Sequence, residues 1–232
     1  NSSLANELRS QGVNDVWDGV NAGEEFRWGG DNIWNSNNKD ERVKAAQELV
    51  KWVNEWRAKN DPTGNEPINV VAHSHGGNVA TMATQYGLKI NTLITLGTPH
   101  ETIPIGNSIS HYSQSESGTY TSNTPQAAIN LFNSLAYPYA PKDGGVNTWV
   151  NVYDNNDKVQ TGLAVFGTSG YLSSTPNPNG IPSSTKLVNM NLTGISGTSI
   201  LGVNQHGLLT SSSTSYFYSN FLIGQNNNNN HK

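Results

Sequence analysis

Cysteine is missing from the chain altogether, which removes disulfide frameworks, thiolate zinc sites, iron–sulfur clusters and a cysteine nucleophile at one stroke. Charge is scarce. Only 13 % of the residues are Asp, Glu, Lys or Arg, about half the usual share, and 13 basic against 17 acidic residues leave a net charge of −4. Such a surface excludes polyanion binding, so no nucleic-acid partner is expected. No apolar run reaches the roughly 18 to 20 residues of a membrane-spanning helix, and the opening residues lack the basic-then-apolar pattern of a signal peptide. Covalent chemistry is thus left to Ser, Thr, Lys or a carboxylate.

What is present suffices for one core: 232 residues, 34 % hydrophobic, with 6 Trp, 9 Tyr and 5 Phe. A single domain over residues 1–225 is expected, followed at 226–232 by an Asn-rich tail with nothing to bury. Asn, Ser, Thr and Gly replace the missing charge and favour turns. That surface suits a soluble protein secreted or delivered by a bacterium. The chain opens at Asn1 without Met, which leaves room for an upstream segment.

Val43, Ala46, Leu49, Val50, Val53 and Trp56 recur at helical spacing and predict an amphipathic helix over Asp40 to Asn60. After the Asp61-Pro62-Thr63-Gly64 break, Ile68 to Ala72 reads as a short strand, Gly76 to Gly87 as a helix and Thr92 to Leu96 as a strand. Trp149 to Tyr153 and Leu187 to Leu192 read as later strands, and Ser212 to Ile223 as a closing helix. Alternating helix and strand is the rhythm of a parallel sheet, so the fold class is α/β with helices on both faces. His100 to Gly145 interrupts that rhythm as a lid-like insertion. In it Thr124 and Pro125 start a short helix that puts Ala128, Leu131, Phe132 and Leu135 on one face, either as a lid and acyl-chain wall or as plain core.

The chemistry concentrates in Ala72-His73-Ser74-His75-Gly76-Gly77, where a strand ends and a helix begins. A serine there takes a strained backbone conformation that lifts its hydroxyl clear of the sheet, and small neighbours permit the turn. Ala72 tolerates its methyl, while Gly76 is expected to sit where a Cβ would crowd the strand. A nucleophilic Ser needs a base and an orienting acid in the chain order Ser, Asp, His. Asp157, past the strand ending at Tyr153, fills the acid's place, with Asp154 as competitor and turn formation as the bland alternative for both. His206, after the last strand and before the closing helix, fills the base's place. His73 and His75 flank the serine too closely to serve; His73 should pack sideways and His75 start the helix.

On these residues the chain resembles an α/β-hydrolase of the bacterial lipase type. Ala72 to Gly77 resembles the Ala-x-Ser-x-Gly elbow of Bacillus-type lipases, and Leu93 to His100 resembles the strand that follows the elbow helix in many lipases. Phe26 to Asn32, with the elbow, is more weakly similar to lipase-like toxin modules of bacterial secreted effectors. The resemblance implies a serine carboxylic ester hydrolase acting on lipid or other acyl esters, membrane lipid included. Ser74 would be its nucleophile, Asp157 its acid and His206 its base, with the backbone N–H of His75 as one oxyanion donor and no cofactor or metal. Such enzymes normally open with a strand ending in His-Gly that leads to the second oxyanion donor. Here Ser3 to Arg9 resembles the helix after that strand, so the first strand is missing and the second donor is unassigned. An upstream segment or a partner chain would supply it. Two other functions fit the same residues: a non-catalytic binding module on a hydrolase scaffold, and an acyltransferase or thioesterase.

Overall fold

A computed structural model describes residues 2–13, 16, 26, 39–101, 140–157, 172–176, 180–194 and 207–226. Among these, four strands form one parallel sheet: β1 (Asn69–His73), β2 (Ile90–Leu96), β4 (Val146–Tyr153) and β6 (Lys186–Asn191), in that spatial order. Two-residue strands β3 (His100–Glu101) and β5 (Leu172–Ser173) pair antiparallel beside it. The helices are α1 (Ser2–Ser10), α2 (Lys39–Asn60), α3 (His75–Gln85) and α4 (Ser212–Asn226). The sheet has the all-parallel, α/β character read from the sequence, and the expected elements fall within a few residues of their places.

Strands covered on both faces must be apolar on both, and six of the seven β2 residues are buried. On one side Leu93 and Trp149 pack with Ala45, Ala46, Leu49 and Val53 of α2 and Val79, Ala80 and Ala83 of α3. On the other, Ile94, Leu96, Val150 and Val152 pack with Leu4 and Leu8 of α1 and Tyr218 and Leu222 of α4. Adjacent residues thus serve opposite layers, as the two-residue period of a strand requires. β1 differs in that all five of its residues are only half-buried, and among the described residues it pairs with β2 alone.

The buried stripe of α2 is rotated from the one that hydropathy predicts. Val43, Val50 and Trp56 are half-buried, whereas Arg42, Ala45, Ala46, Leu49 and Val53 are buried, Arg42 completely. The ends of the segment read as an insertion are built into the body: His100 is buried, and at the far end the Thr84 hydroxyl accepts from Lys142 N–H at 2.8 Å. Ala128, Leu131, Phe132 and Leu135, proposed as a lid or acyl wall, lie outside the described residues, as do His206 and the 227–232 part of the tail.

Candidate active site

Because the four long strands are parallel, their C-terminal ends share one edge of the sheet. Hydrogen bonds tie that edge together: Ser74 N–H donates to Leu96 O at 2.8 Å, Gly97 N–H to Val152 O at 3.0 Å, and Leu192 N–H to Tyr153 O at 2.8 Å. Ligands of open α/β sheets bind along such an edge.

Ser74 stands there between β1 and α3, with φ 55° and ψ −134°. It is the only non-glycine residue at positive φ among the described residues. That backbone region costs on the order of 1–3 kcal/mol outside glycine. A serine preceding a helix ordinarily caps it, yet the Ser74 side chain makes no cap hydrogen bond to α3. The turn therefore holds an unfavourable backbone conformation without using its hydroxyl locally.

The small residues around the turn divide their work differently from expectation. A Cβ on Gly76 would meet only the Ala72 Cβ, at an ordinary 3.8 Å, so Gly76 is not the crowded position. Gly77 is: a Cβ there would overlap Thr98 Oγ1 and stand 2.9 Å from Thr95 Cγ2. The sheet and the helix approach most closely one residue later than the sequence pattern suggests.

His75 is the first residue of α3 and half-buried, as read from the sequence. Its Nδ1 accepts from the buried Arg42 guanidinium at 3.5 Å and from Asn78 Nδ2 at 3.4 Å, both long contacts, which places the ring proton on Nε2. The ring is engaged sideways, while the peptide N–H of His75 belongs to the elbow itself. His73 is half-buried at the end of β1.

Asp154 and Asp157 are both fully buried just past β4, on the same edge as Ser74 and one strand further along than β2. Asp154 shapes the turn: its Oδ1 accepts from Asn156 N–H at 2.8 Å and its carbonyl from Asp157 N–H at 2.9 Å. The turn-forming role thus fits Asp154, while Asp157 gives its backbone N–H to that turn and has its side chain buried. His206 lies immediately before Gly207, where the described chain resumes ahead of α4.

Beneath the edge runs a polar row that the sequence reading missed. Thr95, Asn151 and Asn189 are register partners on β2, β4 and β6. Asn151 Oδ1 accepts from Thr95 Oγ1 at 3.2 Å and from His100 Nε2 at 3.0 Å, while its Nδ2 donates to Ser174 O at 2.8 Å and Asn189 Oδ1 at 3.1 Å. Thr95 Oγ1 accepts in turn from Trp149 Nε1 at 2.9 Å. The backbone carbonyl of Ser174 can only accept, so the Asn151 amide has one consistent orientation and His100 carries its proton on Nε2. Burial pushes the His100 pKa down to about 4 despite the bond to Asn151. The imidazole stands edge-on to Trp149, with ring centroids 5.6 Å apart. His100 is therefore a neutral structural member of this network. A threonine and two asparagines, one inside each of three strands, were the available signal.

Among the described residues no cluster of three or more His, Asp or Glu side chains could hold a metal ion, and no helix is long and apolar enough to cross a membrane.

Comparison with known families matches residues 38–133 to the PGAP1-like alpha/beta domain. The chain is similar to that domain from α2 through the elbow to β2. This α/β-hydrolase-like lipase family fits the superfamily read from the elbow, and it points to hydrolase chemistry in general. The matched stretch contains Ser74 and His75 and ends before Asp157 and His206. No similar protein of curated function and no similar solved structure was found.

Proposed function

We propose that this protein is a serine carboxylic ester hydrolase acting on lipid or other acyl esters. The observation that carries the reading is the Ser74 backbone at φ 55°, a left-handed conformation given to a non-glycine residue at the strand-to-helix turn. Strain at such a position persists when the surrounding structure holds it, and its usual return is a side chain presented for chemistry. In the proposed mechanism His206 takes the Ser74 proton as Oγ attacks the ester carbonyl. The backbone N–H of His75 stabilises the developing oxyanion, and the protonated His206 returns the proton to the leaving alkoxide. Water, deprotonated by the same His, then releases the acid from the acyl-enzyme. Asp157 would hold the imidazole in the required tautomer. The second oxyanion donor would come from a segment beside β1, which pairs only with β2 among the described residues, or from a partner. Leu131, Phe132 and Leu135 are proposed as an apolar wall for the acyl chain. The low charge supports secretion, and the narrower likeness to effector toxin modules would make membrane lipid the substrate.

The reading is tested by exposing the protein to a fluorophosphonate and mapping the adduct. Phosphonylation at Ser74, lost together with p-nitrophenyl ester turnover in Ser74→Ala while the melting temperature holds, is the expected result. Unlabelled native protein with no turnover would instead support the non-catalytic module.

A further inference from the structure

The oxyanion donor proposed above and the carbonyl of Ser74 belong to one peptide unit. That unit is planar and trans, so whatever fixes its C=O fixes the direction of its N–H. Two contacts hold it directly: Ser74 O accepts from Gly77 N–H at 3.0 Å and from the Thr98 hydroxyl at 2.8 Å. The preceding peptide is anchored separately, Ser74 N–H donating to Leu96 O at 2.8 Å. The bond from Gly77 is a backbone contact that any strand-to-helix turn of this path would make. The bond from Thr98 comes from a side chain 24 residues along the chain. Thr98 is itself held in place: it is buried, follows Gly97 at φ 58° and precedes Pro99, whose carbonyl accepts from Asn78 Nδ2 at 3.4 Å. Gly77 leaves room for its hydroxyl and methyl, since a Cβ there would overlap both.

We propose that Thr98 is a positioning residue for catalysis: by donating to Ser74 O it fixes the 74–75 peptide plane so that His75 N–H points at the developing oxyanion. The proposal rests on the hydrolase reading and adds a residue that acts through the Ser74 carbonyl. A valine at this position keeps the shape and deletes the donor, and a serine keeps the donor and deletes the methyl. Misaligning one oxyanion donor should lower kcat about tenfold or more, with KM little changed because the ground-state ester scarcely uses it.

The experiment measures kcat and KM on a soluble p-nitrophenyl ester for the native protein, Thr98→Val, Thr98→Ala and Thr98→Ser. Inhibition by a trifluoromethyl ketone, whose adduct places an oxyanion in the same hole, is measured in parallel, and folded fraction is checked by circular dichroism. The expected result is a kcat loss in Thr98→Val and Thr98→Ala, a matching rise in the ketone inhibition constant, unchanged KM, and recovery to within about threefold in Thr98→Ser. Should Thr98→Val not fold, Thr98→Ala carries the same criterion. Native kcat in folded Thr98→Val or Thr98→Ala, or a Thr98→Ser variant as impaired as they are, overturns the positioning role alone. A native protein that neither turns over ester nor takes a phosphonate at Ser74 overturns the hydrolase reading and this proposal with it.

Discussion

Strand β1 is entered and left through two turns that solve the same steric problem in opposite ways. Before it, the loop from Asp61 to Glu66 needs a left-handed residue and uses Gly64, at φ 68°, with no atom nearer its notional Cβ than an Arg57 nitrogen at 3.8 Å. The Asp61 carboxylate there spends its acceptors locally, on the Thr63 hydroxyl, the N–H groups of Asn65 and Glu66 at 3.1 Å each, and Arg57 at 2.6 Å. After β1, the left-handed residue is Ser74, and its side chain caps nothing. A turn that only has to reverse the chain takes glycine and satisfies its polar atoms. The turn that departs from this does so at the one residue whose hydroxyl the proposed chemistry needs.

The largest expected effect comes from filling the gap that lets the second turn exist. Gly77→Ala should destabilise the protein by about 3 kcal/mol or more in urea unfolding, because a methyl would meet both Thr98 and Thr95 and two packed elements must separate. Phosphonylation of Ser74 should fall with it, as the Thr98 contact to Ser74 O is displaced. Gly76→Ala, beside only the Ala72 methyl, should stay within about 1 kcal/mol of the native protein. Equal effects at the two glycines would mean that the close approach of helix and sheet is not where the structure has it.

Acid should separate the same two regions next. His100, in the network below the elbow, has its pKa pushed down to about 4 by burial, against 6.5 when exposed. Its contribution to stability is complete above pH 6.5 and is lost as pH falls from there to about 4, because only the unfolded chain takes up the proton in that window. At 1.36 kcal/mol per unit, the loss is about 3 kcal/mol. Asp61 behaves differently. Burial alone would raise its pKa, but the N–H groups of Glu66 and Asn65, the Thr63 hydroxyl and Arg57 hold it below 3.8. Its contribution persists throughout the His100 window and declines only as pH falls through the carboxylate range. Urea unfolding between pH 7 and 3 should therefore show a decline down to about pH 4 that His100→Gln flattens. A decline that survives that substitution would assign the acid sensitivity elsewhere.

The elbow was legible because its signal is local: a β-branched run, a serine, then small residues at helical entry. The parallel sheet followed from the alternation of helix and strand along the chain, and its central strand is apolar on both faces, with Leu93 and Ile94 serving opposite layers. Three features were not legible, each for a physical reason. Arg42 reads as solvated by residue type, yet it is fully buried beside His75, so periodicity assigned the α2 face to Val43 and Trp56 instead. Gly97-Thr98-Pro99 reads as a strand terminator, and its bond to Ser74 O joins residues that only the β1–β2 pairing brings together. Strands β3 and β5, two residues each, are too short to carry any period. Composition and spacing do not separate Asp154 from Asp157, which share a residue type and a loop; only the hydrogen bonds from Asn156 N–H to the Asp154 carboxylate and from Asp157 N–H to the Asp154 carbonyl distinguish them.

The smallest effect is the most direct test of the contrast between the turns. Exchanging the two left-handed residues should move stability in opposite directions. Ser74→Gly removes the penalty of a Cβ at φ 55°, about 1–3 kcal/mol, and adds the unfolded-state freedom of glycine, about 0.5–1 kcal/mol, for a net gain of about 1 kcal/mol. Gly64→Ser places a Cβ at φ 68° without a compensating role and should lose about 1 kcal/mol. The five residues of β1 lie between the sites, about 17 Å of extended chain, so the double variant should return close to native stability. Thermal unfolding of all four proteins reads the cycle, with ester turnover as the second axis. Ser74→Gly should be more stable and inactive, and Gly64→Ser less stable and active. If Ser74→Gly is instead destabilised, the elbow is not strained, and the backbone evidence for a presented nucleophile falls with it.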